Sequence, residues 1–265
     1  MASFYASEFL YGGISSTKYG VRIFEINNSG GTTTSDGGTA TTIYKDLIFR
    51  RSKTNFYGSS TSTPLEFDII IGSYLPIIGI QQSLLKSWLI GSKNYQHFQI
   101  VQDDLSNIYW NCIFTKATDT HVGNLVQSFS FHSECDAPWA WEEEQTITKN
   151  YVTTVNDTFD YYNNSADSDY MYPLTSFTMS SIGSNVIFTN ITDNNRQVIF
   201  TSLSPNEVIT IDNYNKILTS STGLFRLGNS NLTFFRLCPG YNSINISGDI
   251  SNFTMTTQNA RKVGG

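Results

Sequence analysis

With 265 residues the chain is long enough for one large or two ordinary domains, each burying its own core, so neither a disulfide framework nor a metal scaffold is needed to hold it. It is 39% hydrophobic, 14% aromatic and 14% charged, with abundant Ser, Thr and Asn, which excludes a disordered polyelectrolyte and a helix-rich chain and points to a β-rich globular protein. Sixteen Lys and Arg against twenty-two Asp and Glu give a net charge of −6, which supplies no basic surface for neutralising phosphates, so stable nucleic-acid binding is not expected.

The cysteines Cys112, Cys135 and Cys238 are odd in number, lack CxxC spacing and stand apart from His97, His121 and His132. No zinc site, disulfide framework, metal or cofactor is expected from that pattern. Residues Met1 to Glu8 lack a basic start followed by an apolar core, and no run approaches the about 20 apolar residues of a membrane helix. The expectation is synthesis in the cytoplasm, without membrane insertion.

In chain order, Tyr19 to Ile26, Thr42 to Phe49 and Leu65 to Ile71 carry β-branched and aromatic residues in near-alternation and read as strands. Between the first two lies a Gly/Thr-rich stretch from Asn27 to Thr39. It lacks the Gly-Lys-Ser/Thr ending of a phosphate loop and reads as a connection. From about residue 79 to 90 the period changes: Ile80, Leu84, Leu85, Trp88 and Leu89 fall on one helical face, read as a packing face, and Gly91 is placed as the stop. His97 to Gln102 and Ile108 to Lys116 follow as strands around an Asp103 to Asn107 turn. Gln127 to Cys135 is another strand, with Phe129 and Phe131 on one face. Asp103 and Asp104 are adjacent carboxylates, but neighbours on a strand or turn point apart, so they read as turn residues and not as an acid/base pair.

Pro138 interrupts pairing in the Asp136 to Glu144 stretch, and Glu142 to Glu144 read as a solvated charge run, which places a domain boundary there. The expected domains are residues 1–144, a β-sandwich or barrel-like domain with one helix, and residues 145–265, a β-sandwich. In the second half Val186 to Asn190, Gln197 to Ser202, Glu207 to Asp212, Lys216 to Ser220, Asn231 to Leu237, Ser243 to Ser247 and Asn252 to Thr257 read as short strands separated by Asn/Asp/Pro/Gly turns. The fold class is mainly β. No nucleophile elbow, HExxH, EF-hand or Walker pattern occurs, and Asp167-Ser-Asp169 lacks the rest of a calcium loop, so no catalytic residue and no enzyme activity are expected. Tyr161, Tyr162, Tyr170 and Tyr241 on a sandwich rim suit either sugar stacking or an assembly interface.

Several segments together resemble the distal tail protein family of long-tailed bacteriophages. They are Phe9 to Ser16 with Tyr19 to Ile23, the helix end Ser87-Trp88-Leu89, Phe98 to Asp104 with Asp103 and Asp104, and the Phe129 to Trp141 junction with Pro138 and Trp139. In the second half, Gly183 to Ile187, Asn206-Glu207, Ile211-Asp212-Asn213, Pro239-Gly240-Tyr241-Asn242 and Ile244 to Gly248 are similar to that family's galectin-like C-terminal domain. The likeness spans nearly the whole chain in order; the Gly/Thr loop from Asn28 to Thr42 departs from it.

The resemblance implies a structural hub of the phage tail tip or baseplate, located in the virion. Six copies would form a ring closed by the N-terminal domain, joining the tail tube protein, the tail-tip (Tal-like) protein and receptor-binding proteins, with DNA passing through the lumen. Nine Lys and Arg face fourteen Asp and Glu in residues 1–145, against seven and eight afterwards, so a lumen lined by the first domain would be acidic and would not grip DNA. A ring needs one patch to meet a different patch on the next copy, and strand edges near the N-terminus and the Asn28 to Thr42 loop are candidates by elimination. The alternative is a carbohydrate-binding module recognising host cell-wall polysaccharide through the C-terminal sandwich. The sugar site of galectins uses His and Trp, which this half of the chain lacks, so Tyr and Asn would have to carry it.

Overall fold

The computed structural model describes residues 6–27, 40–45, 55–61, 64–152, 154–167 and 169–263. Residues 28–39 of the Gly/Thr stretch, and the end of the strand expected to reach Phe49, lie outside them. The chain divides into two compact units, Met1–Glu142 with Arg261–Gly265, and Glu143–Ala260. The last residues thus return to the first unit, unlike the single cut placed after residue 144: Arg261 Nε donates to Glu142 Oε1 at 2.6 Å, and Val263 is buried in the first core.

The first unit carries β1 (Phe9–Tyr11), β2 (Ile14–Ser15), β3 (Arg22–Asn27), β4 (Ala40–Lys45), β5 (Asn55–Thr61), β6 (Glu66–Gly72), the helix α1 (Gly79–Ile90), β7 (Gln96–Ile100), β8 (Ile108–Val122), β9 (Leu125–Cys135) and β10 (Ala140–Glu142). Its main sheet runs β2-β1-β7-β8-β9-β6-β3, with β10 beside β8, and β4 and β5 form a separate hairpin. Alternation explains the register. Phe67, Ile69 and Ile71 of β6 face inward, and Ile69 pairs with Phe131 and Ile71 with Phe129 of β9. Strand β8 is longer than the sequence indicated. Its first half alternates buried and half-buried, and from Thr115 to Val122 it runs on as a largely exposed strand against the start of β9, whose Val126, Ser128, Phe129 and Phe131 stay buried.

Helix α1 corrects the single apolar stripe expected of it. Leu85 and Leu89 are buried and Trp88 is half-buried, whereas Ile80 and Leu84 face outward. Five apolar positions cover too wide an arc for one contact line, and Leu85, Trp88 and Leu89 meet the sheet while Ile80 and Leu84 do not. Gly91 ends the helix with right-handed φ and ψ of −71° and −12°, its N–H donating to Ser87 O, rather than as a left-handed cap.

The second unit adds β11 (Gln145–Asn150), β12 (Val155–Asn163), β13 (Leu174–Met179), β14 (Ser184–Asn190), β15 (Arg196–Leu203), β16 (Val208–Asp212), β17 (Ile217–Ser220), β18 (Gly240–Gly248) and β19 (Ile250–Thr257). They form a five-stranded sheet, β11-β19-β13-β16-β17, and a four-stranded sheet, β12-β18-β14-β15, all antiparallel. Phe177, Ile209, Phe253 and Met255 from the first and Phe188, Phe200, Ile244 and Ile246 from the second share one core, which makes a β-sandwich.

The strand expected over Asn231 to Leu237 is not formed. Side chains satisfy that segment's neighbours instead: Asn231 Oδ1 accepts from Ile199 N and its amide donates to Gln197 O, while Asn213 Oδ1 accepts from Phe235 N. Its backbone pairing is reduced to an isolated bridge between Met171 and Leu237 and a bond from Asn231 N to Ile199 O.

Candidate assembly surfaces

The family-motif residues of the first unit are mostly internal supports. Trp88 stacks between Tyr19, at 4.7 Å between ring centroids, and Phe9, at 5.6 Å, and its indole N–H donates to Tyr11 O at 3.1 Å. The ring that ends the helix therefore ties it to β1 and to the turn after β2. Asp103 and Asp104 open a short 3-10 turn after β7, where Asp104 Oδ1 accepts from the Gln102 amide at 2.6 Å. That is a turn role, not a carboxylate couple. Pro138 is buried, and Trp139 packs edge-on against Trp141, whose indole N–H donates to Asp136 Oδ1.

What the first unit presents outward is apolar. The connection from β6 to α1 is stapled to the start of β9, Ser73 N donating to Gln127 O and Ile77 N to Val126 O. With Ile77 buried between these bonds, Tyr74, Leu75 and Ile78 project into solvent, followed by Ile80 and Leu84 of the helix; Tyr74 is 75% exposed and Ile80 71%. Phe24 of the edge strand β3 reaches the Tyr74 ring, at 5.9 Å between centroids. Lys86 on the same helix binds Asp119 of β8, Nζ to Oδ1 at 2.8 Å, which fixes helix and strand together. Large side chains so exposed, and so close in sequence, are of the kind that marks a protein–protein contact. Strand edges near the N-terminus and the Gly/Thr loop, the candidates for ring contacts from sequence, do not include this patch. The run Tyr-Leu-Pro-Ile-Ile before the helix was its available signal.

In the second unit the motif residues sit at both ends of the sandwich and do not converge. At one end Asn206 takes φ 58° and donates its N–H to Ser180 O, and Glu207 is buried against Arg226. At the other, Asp212 accepts from the backbone and side-chain N–H of Asn215, which holds its carboxyl below the usual range. Gly240 takes φ 82°, and Asn242, fully buried, accepts from Cys238 N and donates to Cys238 O and Gly240 O. Each fixes a turn by satisfying backbone groups. Of the rim tyrosines, Tyr161 is buried, its hydroxyl donating to Thr257 Oγ1, whereas Tyr162, Tyr170 and Tyr241 are exposed. The guanidinium of Arg236 lies 3.7 Å from the Tyr170 ring centroid and is itself held by Asp193. Among the described residues, no group of three or more His, Cys, Asp or Glu could hold a metal ion, and no helix is long and apolar enough to cross a membrane.

Two β units whose polar residues brace loops, with an apolar patch facing out, define a scaffolding component built for contact with other proteins. Family comparison gives that class its identity: residues 4–137 match a phage tail protein N-terminal domain and residues 139–256 a phage tail C-terminal domain, so the chain belongs to this family of phage tail proteins. It is a structural tail component, not an enzyme. Among solved structures it is similar to the Dit protein of phage SPP1, described as a paradigm of the hub adsorption apparatus in phages infecting Gram-positive hosts. The TM-score is 0.68 at 10% identity, over 95% of this chain and 98% of that one. It is also similar to a chain of the phage p2 baseplate in its activated conformation, with a TM-score of 0.52 at 12% identity, over 97% and 98% of the two chains. Among curated proteins no sequence matches it.

Proposed function

We propose that this chain is the distal hub of a phage tail, six copies closing into a ring that connects the tail tube protein to the tail-tip (Tal-like) protein and the receptor-binding proteins, with DNA passing through the lumen. The observation that carries the reading is the outward apolar patch of Tyr74, Leu75, Ile78, Ile80 and Leu84 in a member of a phage tail family. Rotational closure needs a patch that buries against a different surface of the next copy, and this one is rigidly held by its staples to β9. The acid excess of residues 1–145 suits a channel wall that repels DNA. Assembly takes place in the bacterial cytoplasm before release of the virion.

The test is the solution mass of the purified chain by light scattering, with negative-stain imaging. A six-fold ring has six times the 29.7 kDa of one chain. The I80D/L84D variant should remain folded, since both side chains are exposed, and should stay monomeric. A wild-type chain that stays monomeric alone and with its tail-tube partner, or a variant that still forms rings, overturns this reading.

A further inference from the structure

We propose that Cys112 and Cys135 are a redox modification site, two thiols placed to join as a cross-strand disulfide between β8 and β9 when the chain meets a small peroxide. The backbone bonding fixes their geometry. Cys135 N donates to Leu65 O, on the β6 side of β9 and away from β8, whereas Asp136 N donates to Asn111 O. Asn111 and Asp136 are therefore a hydrogen-bonded pair, and Cys112 with Cys135, one step along the register, is the kind of pair whose backbone groups point away from one another. On its other side Cys112 pairs with Gln96 of β7. Pairs of this kind hold their Cα atoms about 4.5 Å apart and bring their side chains close, and a disulfide spans Cα separations of about 4.4–6.8 Å. Both side chains lie in the core, 0% and 2% exposed, and the buried Ser133 sits beside both sulfurs.

The reaction balances within the pair. The thiolate of one cysteine attacks a peroxide oxygen, the O–O bond breaks, and a sulfenic acid forms while the leaving hydroxide takes up the thiol proton as water. The second sulfur then displaces the sulfenic hydroxyl, which leaves as a second water with the second thiol proton, and the S–S bond closes. Two thiols lose two electrons in all, and one peroxide is reduced to two waters. Burial pushes both thiols up, so the first attack waits on parting of β8 and β9, and the same burial shields the closed bond from reductants. The bond would close a loop from residue 112 to residue 135, and that loop holds the supports of the apolar surface: Asp119, bound by Lys86 of α1, and Val126 and Gln127, whose carbonyls accept from Ile77 and Ser73. Oxidation therefore locks the ground on which that surface stands. In a tail component made in the reducing cytoplasm and then released, the pair stays reduced through assembly and closes outside the cell. That timing rests on the hub reading, whereas the reaction does not.

The test uses the full chain, wild type and C238S, purified with a reductant, freed of it and exposed to hydrogen peroxide while folded. Peptide mass spectrometry should show Cys112 linked to Cys135 in a product two hydrogens lighter than its two peptides, and dithiothreitol should restore both thiols. C238S should lose both of its thiols to titration in denaturant, and wild-type peptides serve if that variant does not fold. Because the bond removes freedom from the unfolded chain, the first unit should melt about 5–10 °C higher when oxidised. C112A/C135A given the same peroxide corrects for oxidation of methionine. A folded chain that keeps both thiols, that carries them to sulfinic acid without a link, that links them only in denaturant, or that melts lower once linked overturns the proposal. The solution mass of the reduced chain reports on the hub reading separately.

Discussion

Glu207 and Arg226 form a two-pronged ion pair inside the second unit: Oε1 accepts from Nε and Oε2 from Nη2, both at 2.7 Å, and neither residue is more than 9% exposed. Ser220 Oγ and Ser204 N–H donate to the same carboxylate. Burial alone pushes that carboxyl up, but Arg226 and the two serine donors together outweigh it and bring the pKa down from about 4.5 to about 2. Because the folded value is the depressed one, the stabilisation is complete above about pH 4.5 and is lost as pH falls toward 2. At about 1.4 kcal/mol for each pH unit of the shift, the contribution is about 3 kcal/mol. E207Q leaves Arg226 buried and unpaired, so at pH 7 it should cost about 3–5 kcal/mol. Urea titrations of wild type and E207Q at pH 7 and pH 3 check both statements: the two chains should draw together at the lower pH, and a constant gap would remove the ion pair as the cause.

Gly248 closes the corner where the chain leaves the four-stranded sheet and, one residue later, enters the five-stranded one. Its φ is 131°, and a Cβ there would lie 2.3 Å from Asn185 O, with the backbone of Val186 also close. Neither the dihedral nor the neighbour can accommodate a side chain without moving β14. G248A should therefore destabilise the second unit by about 2–3 kcal/mol or more. The control is G223A: Gly223 also has positive φ, 72°, but no atom lies near its missing Cβ, so its cost should be the smaller one of dihedral strain alone. Equal melting losses for the two variants would show that the contact with Asn185 has no weight.

Which parts of this architecture were legible in the sequence follows from the range of the interactions involved. Phe67, Ile69 and Ile71 announce β6 because alternation is local and one face is buried. Strands β11, β12 and β13 are not legible in the sequence, because their Thr, Asn, Asp and Tyr residues alternate in polarity only weakly and gain their strand character from β18, β19 and β16, some 30 to 110 positions away. The same limit explains the helix. Ile80 and Leu84 look like core partners of Leu85 and Leu89 until the sheet takes only one edge. Glu207 was visible as a motif residue, but its meaning rests on Arg226, nineteen residues later and on a loop.

Cys112 and Cys135 are register partners across β8 and β9, each almost wholly buried in the first core, and both are free thiols. Burial pushes both thiols up, Cys112 to about 12, so at neutral pH neither presents the thiolate that alkylating reagents attack. Cys238, in the second unit, is half-exposed. Iodoacetamide at pH 7.5 should thus label the native chain at Cys238 first and label all three sites in denaturant, as read by mass spectrometry of peptides. Since Cys112 and Cys135 face one another where the main sheet pairs β8 with β9, their labelling requires those strands to part. Its rate should then fall to that of opening of the first unit and rise steeply with urea. Labelling of Cys112 or Cys135 at the rate of Cys238, without added denaturant, would mean that β8 and β9 separate readily and that the first unit is not the rigid element a ring requires.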